Sequence, residues 1–149
     1  MNEPIPLRVL SGRRPHVPCT QCARCCTYVA VGITAPPRPR YATDILWYLY
    51  HEGVSVHRDT DGEWSVVFET RCRHLSGDLL CGVYAERPHI CRAFDDTSCE
   101  VNAPSGGRSF TEAGEFLAYL KQERPRLHRQ IERRFVPHAL AVSGSSCPT

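Results

Sequence analysis

Eight of the nine cysteines fall in two tight blocks, and thiols at this density point to metal chemistry. The first block reads Cys19-Thr20-Gln21-Cys22-Ala23-Arg24-Cys25-Cys26, a C-x-x-C-x-x-C-C run. The second comprises Cys72, Cys81, Cys91 and Cys99, at wider spacing. Thiolates so close in sequence can converge on a small sphere, as zinc or an iron–sulfur cluster requires. Cysteines three apart on a tight turn can all face inward, so Cys19, Cys22 and Cys25 can serve one centre. The adjacent pair Cys25-Cys26 should diverge, leaving one of the two for a second centre or another face of a cluster. Eight cysteines make two tetrathiolate sets, or one cluster site with supporting thiols.

The elements that must position these residues are short. Residues 1–18 carry Pro4, Pro6, Pro15 and Pro18 and read as an extended arm. Tyr28–Ile33 is β-rich and predicts a strand leaving the first block. After a proline-rich connector at 35–39, Thr43 reads as the N-cap of a helix running to about Glu52. Its buried face would hold Ile45, Leu46, Tyr48 and Leu49, with Gly53 ending it. Val54–His57 and Glu63–Glu69 flank Asp59-Thr60-Asp61-Gly62, a strong hairpin signal. Ser76-Gly77-Asp78 reads as a turn, so that Cys72 and Cys81 flank a second, small hairpin. Pro88 suits the first position of a short helix carrying Cys91. Ser105-Gly106-Gly107 reads as a hinge-like loop. Ser109-Phe110-Thr111-Glu112 fits a capping box opening a helix to about Glu123, with Phe116, Leu117 and Leu120 inward. Pro125 starts another helix, striped by Leu127, Ile131 and Phe135. Residues 137–149 read as a flexible tail, with Cys147 a bystander. The expected fold class is α+β: a small irregular metal-stapled domain over 19–136, with a short hairpin and three or four helices.

Closing the 46-residue span from Cys26 to Cys72 costs about 3–4 kcal/mol of loop entropy. A structural zinc site contributes about 10–16 kcal/mol, so metal binding is sufficient to drive that closure. A tetrathiolate centre carries a charge of about −2. Arg24, Arg71, Arg73, Arg87 and Arg92 lie close enough in sequence to compensate it by donating to sulfur. His74 and His89 lie inside the second block and read as solvated side chains, with replacement of a cysteine ligand as the alternative.

Composition sets outer limits. The 149 residues are 42% apolar and 23% charged, with a net charge of +2, too little to call for a polyanionic partner. The basic residues are 17 arginines and Lys121 alone, a bias expected of a GC-rich coding background. No apolar run reaches the ~18–20 residues of a membrane span, and the N-terminus lacks the pattern of a secretory signal. A cytoplasmic location is therefore expected, where thiols stay reduced and disulfides are disfavoured. The arginines of the last helix (Arg124, Arg126, Arg129, Arg133, Arg134) read as a solvated face, not a nucleic-acid surface.

The pattern Cys19-x-x-Cys22-x-x-Cys25-Cys26, Cys72-x-His74-Leu75, Cys81-Gly82-Val83-Tyr84-x-x-Arg87-Pro88-x-x-Cys91-Arg92-x-Phe94, then Cys99, resembles the zinc- or iron-chelating cysteine-cluster family often called YkgJ-like. The resemblance spans residues 19–99. It departs at Ala23-Arg24, where the family often has glycine before the third cysteine. It implies a small domain binding zinc or an iron–sulfur centre through Cys19, Cys22, Cys25, Cys26, Cys72, Cys81, Cys91 and Cys99. Tyr84 would pack on the site, and Arg87 and Arg92 would balance its charge. Some larger relatives couple such a domain to lysine N-methylation. This chain has no glycine-rich nucleotide loop after a strand, so it is not expected to be an enzyme on its own. The expected function is an iron–sulfur protein, of [4Fe–4S] type, serving redox chemistry, sensing or assembly with a protein partner. The alternative is a structural zinc or metal-handling protein.

Overall fold

The computed structural model describes residues 18–36, 38–93, 99 and 106–135, excluding the side chains of Cys19, Arg134 and Phe135. The expected N-terminal arm (except Pro18), the C-terminal tail and Cys147 lie outside the described residues. Among the described residues the fold is α+β: five helices and a four-stranded antiparallel sheet.

The hairpin forms where the Asp-Gly signal placed it, between β2 (Val54–Arg58) and β3 (Trp64–Glu69). Gly62 takes φ +90 in the turn, a conformation that side chains resist. The Asp59 carboxylate accepts the Glu63 N–H at 2.9 Å. β1 (Tyr28–Ile33) pairs with β3, from Tyr28 opposite Glu69 to Ile33 opposite Trp64. A fourth strand, β4 (Arg108–Phe110), pairs with β2, giving the order β1-β3-β2-β4.

β4 corrects the expected capping box. Ser109 lies in the strand, its hydroxyl 3.0 Å from His57 Nδ1. The helix start falls three residues later, where the Glu115 carboxylate accepts the Thr111 N–H at 2.7 Å and the Glu112 N–H at 3.2 Å. These bonds hold Glu115 below the usual carboxylate range. The expected hinge is also corrected at Gly107. A Cβ there would lie 2.5 Å from the His57 ring and 2.6 Å from the Arg58 carbonyl oxygen, so this is a close approach of two chains.

One face of the sheet is covered by three helices. α2 (Pro39–Leu49) starts four residues before the expected Thr43, because Pro39 fits the first helical turn. Thr43 instead donates its hydroxyl to the Arg40 carbonyl. α2 buries Ala42, Ile45, Leu46 and Leu49, and ends before Gly53. α4 (Ala113–Glu123) buries Phe116, Tyr119 and Leu120, and α5 (Pro125–Phe135) buries Leu127 and Ile131. The heart of the core is aromatic: Trp64 stacks on Phe110 at 5.8 Å, and Phe116 meets Phe110 edge-on at 5.5 Å. Buried aromatic side chains such as Trp64, Phe110, Phe116 and Tyr119 together stabilise by several kcal/mol. Burial ends toward β1. Along one row of the sheet Phe110, Val56 and Val66 are buried, while Val31 on the edge strand is 49% exposed.

Candidate metal centre

The first cysteine block folds as two short turns. α1 (Cys19–Cys22) is followed by a 3-10 turn at Arg24–Cys26. Ala23 between them is buried and takes φ 48, left-handed, which breaks the helical run between Cys22 and Cys25. An L-residue there costs about 1–2 kcal/mol. Thr27 closes the turn, its hydroxyl donating to the Arg24 carbonyl at 2.7 Å.

β1 then leaves the first block, and β3 runs antiparallel beside it into the second. The pairing continues past both strands: the Thr70 N–H donates to the Thr27 carbonyl at 2.9 Å, and the Cys72 N–H to the Cys26 carbonyl at 2.7 Å. The sheet therefore brings the two cysteine blocks together. Metal binding was expected to be sufficient to drive this closure; backbone pairing between β1 and β3 makes it as well.

Beyond Cys72 the chain is held by local bonds rather than burial. Leu75 pairs with Cys81 in an isolated bridge, and Gly82 donates to the His74 carbonyl at 2.8 Å. This is the expected small hairpin, though its left-handed residue is Leu79 at φ 62, not Gly77. The Arg71 guanidinium donates to the Leu75 and Ser76 carbonyls at 3.0 and 2.8 Å. Cys91 sits on α3 (His89–Ala93), whose first N–H bonds go to the Pro88 carbonyl. Leu75 alone among the described residues of 70–93 is buried.

Two expected roles change. Tyr84 is 67% exposed rather than packed on the cysteines, with the Arg87 guanidinium 3.7 Å above its ring. Arg87 and Arg92 donate to the backbone of their own loop. Arg87 donates to the Tyr84 carbonyl at 3.1 Å, and Arg92 to the Arg87 and Ala85 carbonyls at 2.7 and 2.9 Å. They shape the segment between Cys81 and Cys91, a role that a sequence motif alone does not disclose. His74 and His89 are exposed.

Of the described thiols, Cys22, Cys25, Cys26, Cys81 and Cys99 are half-buried, and Cys72 and Cys91 exposed. Cys26 is their hub. Burial pushes its thiol up, a hydrogen bond from the Cys25 side chain pulls it back, and the charges of Cys72, Cys81 and Cys91 push it up again. Among the described residues, no three His, Cys, Asp or Glu donors are gathered tightly enough to hold an ion. The thiols feel one another's charge without meeting at a point. A donor set of soft, mutually repelling thiolates suits a thiophilic cation, whose charge removes the repulsion that keeps them protonated.

The family model of the CxxCxxCC domain, described as a "Putative zinc- or iron-chelating domain", matches residues 18–106. The chain belongs to this family. No curated protein matches it, and no solved structure does. The matched span ends just before β4, so it takes in the cysteine segments and three strands and leaves out α4 and α5. No helix among the described residues is long and apolar enough to cross a membrane.

Proposed function

We propose that this domain holds a cysteine-ligated iron–sulfur centre, of [4Fe–4S] type, and works with a protein partner in redox chemistry, sensing or assembly. The eight candidate ligands are Cys19, Cys22, Cys25, Cys26, Cys72, Cys81, Cys91 and Cys99. The observation that supports this reading is the strand pairing at the first block: the Cys72 N–H donates to the Cys26 carbonyl at 2.7 Å, which sets the two blocks, with eight cysteines between them, side by side. Such a set exceeds the four thiolates of a single zinc ion. A bound cluster would supply an electron-transfer couple at the protein surface. The chain's own part is to present the thiols from a rigid sheet edge, and to shape the Cys81–Cys91 loop with Arg87 and Arg92.

A second reading, zinc held structurally or in transit, is favoured by the exposure of Cys72 and Cys91, which leaves two ligands open to exchange. Anaerobic purification with iron, sulfide and zinc counted per chain separates the two. Matching iron and sulfide with a broad visible charge-transfer band supports the cluster. A colourless protein holding zinc alone overturns it.

A further inference from the structure

We propose that the outer edge of β1 takes up an extended segment of a protein partner as an added antiparallel strand, and that a lysine or arginine of that segment enters the cavity between β1 and α2. This gives a chemistry to the protein partner of the reading above and rests on nothing in its metal, so either can fail alone.

The two edges of the sheet differ. β4, at one edge, is three residues long and begins with Arg108, directly after the crowded Gly107. Short length and an edge charge are how sheets discourage a further strand. β1, at the other edge, runs six residues as Tyr-Val-Ala-Val-Gly-Ile, with no charge and no proline. Among the described residues no strand lies beyond it. Val29 and Val31 share the sheet face that the helices cover elsewhere, yet stand 50% and 49% exposed. At Ile33 that face leads into a cavity of about 260 Å³. Tyr41, Asp44, Ile45 and Tyr48, on successive turns of one face of α2, form the other wall. No described basic side chain lines this space, so the Asp44 carboxylate has no counter-charge within it. Two phenol rings and a carboxylate around an open space suit an ammonium or guanidinium group. An apolar side chain would leave the carboxylate unanswered, and an acidic one would be repelled. Strand addition supplies main-chain bonds for affinity and leaves alternate side chains to set specificity. On a strand paired with β1, residues two apart face Val29, Val31 and Ile33 in turn. An antiparallel segment that fits therefore reads basic-x-apolar-x-apolar, its basic residue at the Ile33 end. A second copy of this chain does not fit in this way, because its own β1 has no basic residue to offer.

The test is titration of the isotope-labelled full-length chain with the peptide acetyl-Arg-Thr-Val-Thr-Val-amide, followed by backbone amide shifts. The shifts should concentrate in β1 and on the Tyr41–Tyr48 face of α2. Glutamate in place of the peptide arginine should abolish binding. Asp44→Asn and Tyr41→Leu, both at exposed positions, should each weaken it by about 2–5-fold, with the amide shifts of β2 and β3 showing the fold intact. Of the two alternate sets of peptide amides, N-methylating one should abolish binding and N-methylating the other should spare it, because only one set faces β1. No binding at millimolar peptide, equal binding of the glutamate peptide, full affinity in Asp44→Asn, or tolerance of both N-methylated sets overturns the proposal. So does a concentration-dependent shift of the β1 amides without peptide, which would assign this edge to a second copy. None of these outcomes touches the metal reading, which metal analysis decides separately.

Discussion

The two halves of this molecule are held by different forces. The sheet and its three helices bury Val56, Phe110, Phe116, Leu120 and Ile131 almost completely. The segment from Thr70 to Ala93 buries Leu75 and little else, and leaves Leu80, Tyr84 and Ile90 at least half exposed. Hydrophobic burial is enough to fold the first half. The second relies on guanidinium–carbonyl bonds, each worth about 1.5–3 kcal/mol at most, and on whatever its thiols bind. The lesson is a division of labour. An ordinary core builds an edge strand, the edge strand aligns two cysteine blocks, and packing leaves the region of the second block open.

The comparison can be broken most forcefully from the core side. Phe116→Ala, at a fully buried site in the aromatic cluster, should cost about 3–5 kcal/mol, read as a lower denaturant midpoint. Below the new midpoint it should leave metal stoichiometry unchanged, because Phe116 supports the sheet and not the loops. Gly107→Ala should cost about 1–3 kcal/mol, since the new methyl meets the Arg58 carbonyl and the His57 ring. It too should spare metal binding.

From the other side, Cys72→Ser should remove metal while changing the unfolding midpoint of the metal-free chain by no more than about 0.5 kcal/mol. Arg92→Lys loses a two-point clamp on the Ala85 and Arg87 carbonyls. It should weaken metal affinity by about tenfold, without moving the midpoint of the metal-free chain. The smallest effect belongs to Glu115. Its lowered pKa means the folded state favours the carboxylate, so its contribution is present above the ordinary value of 4.5 and lost as pH falls through the folded value. Glu115→Gln should flatten that part of the acid unfolding profile and leave the neutral-pH metal content unchanged.

Local signals in the sequence were reliable where one segment decides its own shape. The Asp61-Gly62 turn, the strand at Tyr28–Ile33, the Pro125 helix start and the small hairpin between Cys72 and Cys81 could all be read directly. Pairings between distant segments could not. Ser109 and Glu112 satisfy a capping pattern on paper, but strand pairing of Arg108–Phe110 with β2 prevails and moves the N-cap to Glu112, with Glu115 closing the box. Pro39 outranked Thr43 at the start of α2 because proline is already set for the first turn and needs no N–H there. The cysteine count made metal binding legible, and the family match agrees. Which parts of the two blocks lie side by side was hidden, because it depends on the β1–β3 register that puts Cys26 beside Cys72. The arginine roles were hidden for a related reason: their carbonyl partners exist only once the Tyr84–Arg92 loop has folded.

The central claim is that the sheet folds without metal and the cysteine loops do not become ordered until metal binds. Backbone hydrogen exchange of the full-length chain, metal-loaded and after chelation, tests it most directly. The account expects protection to collapse across residues 71–93 on chelation while β2, β3 and α4 keep theirs. Loss of protection throughout the chain, or none in 71–93, would contradict it.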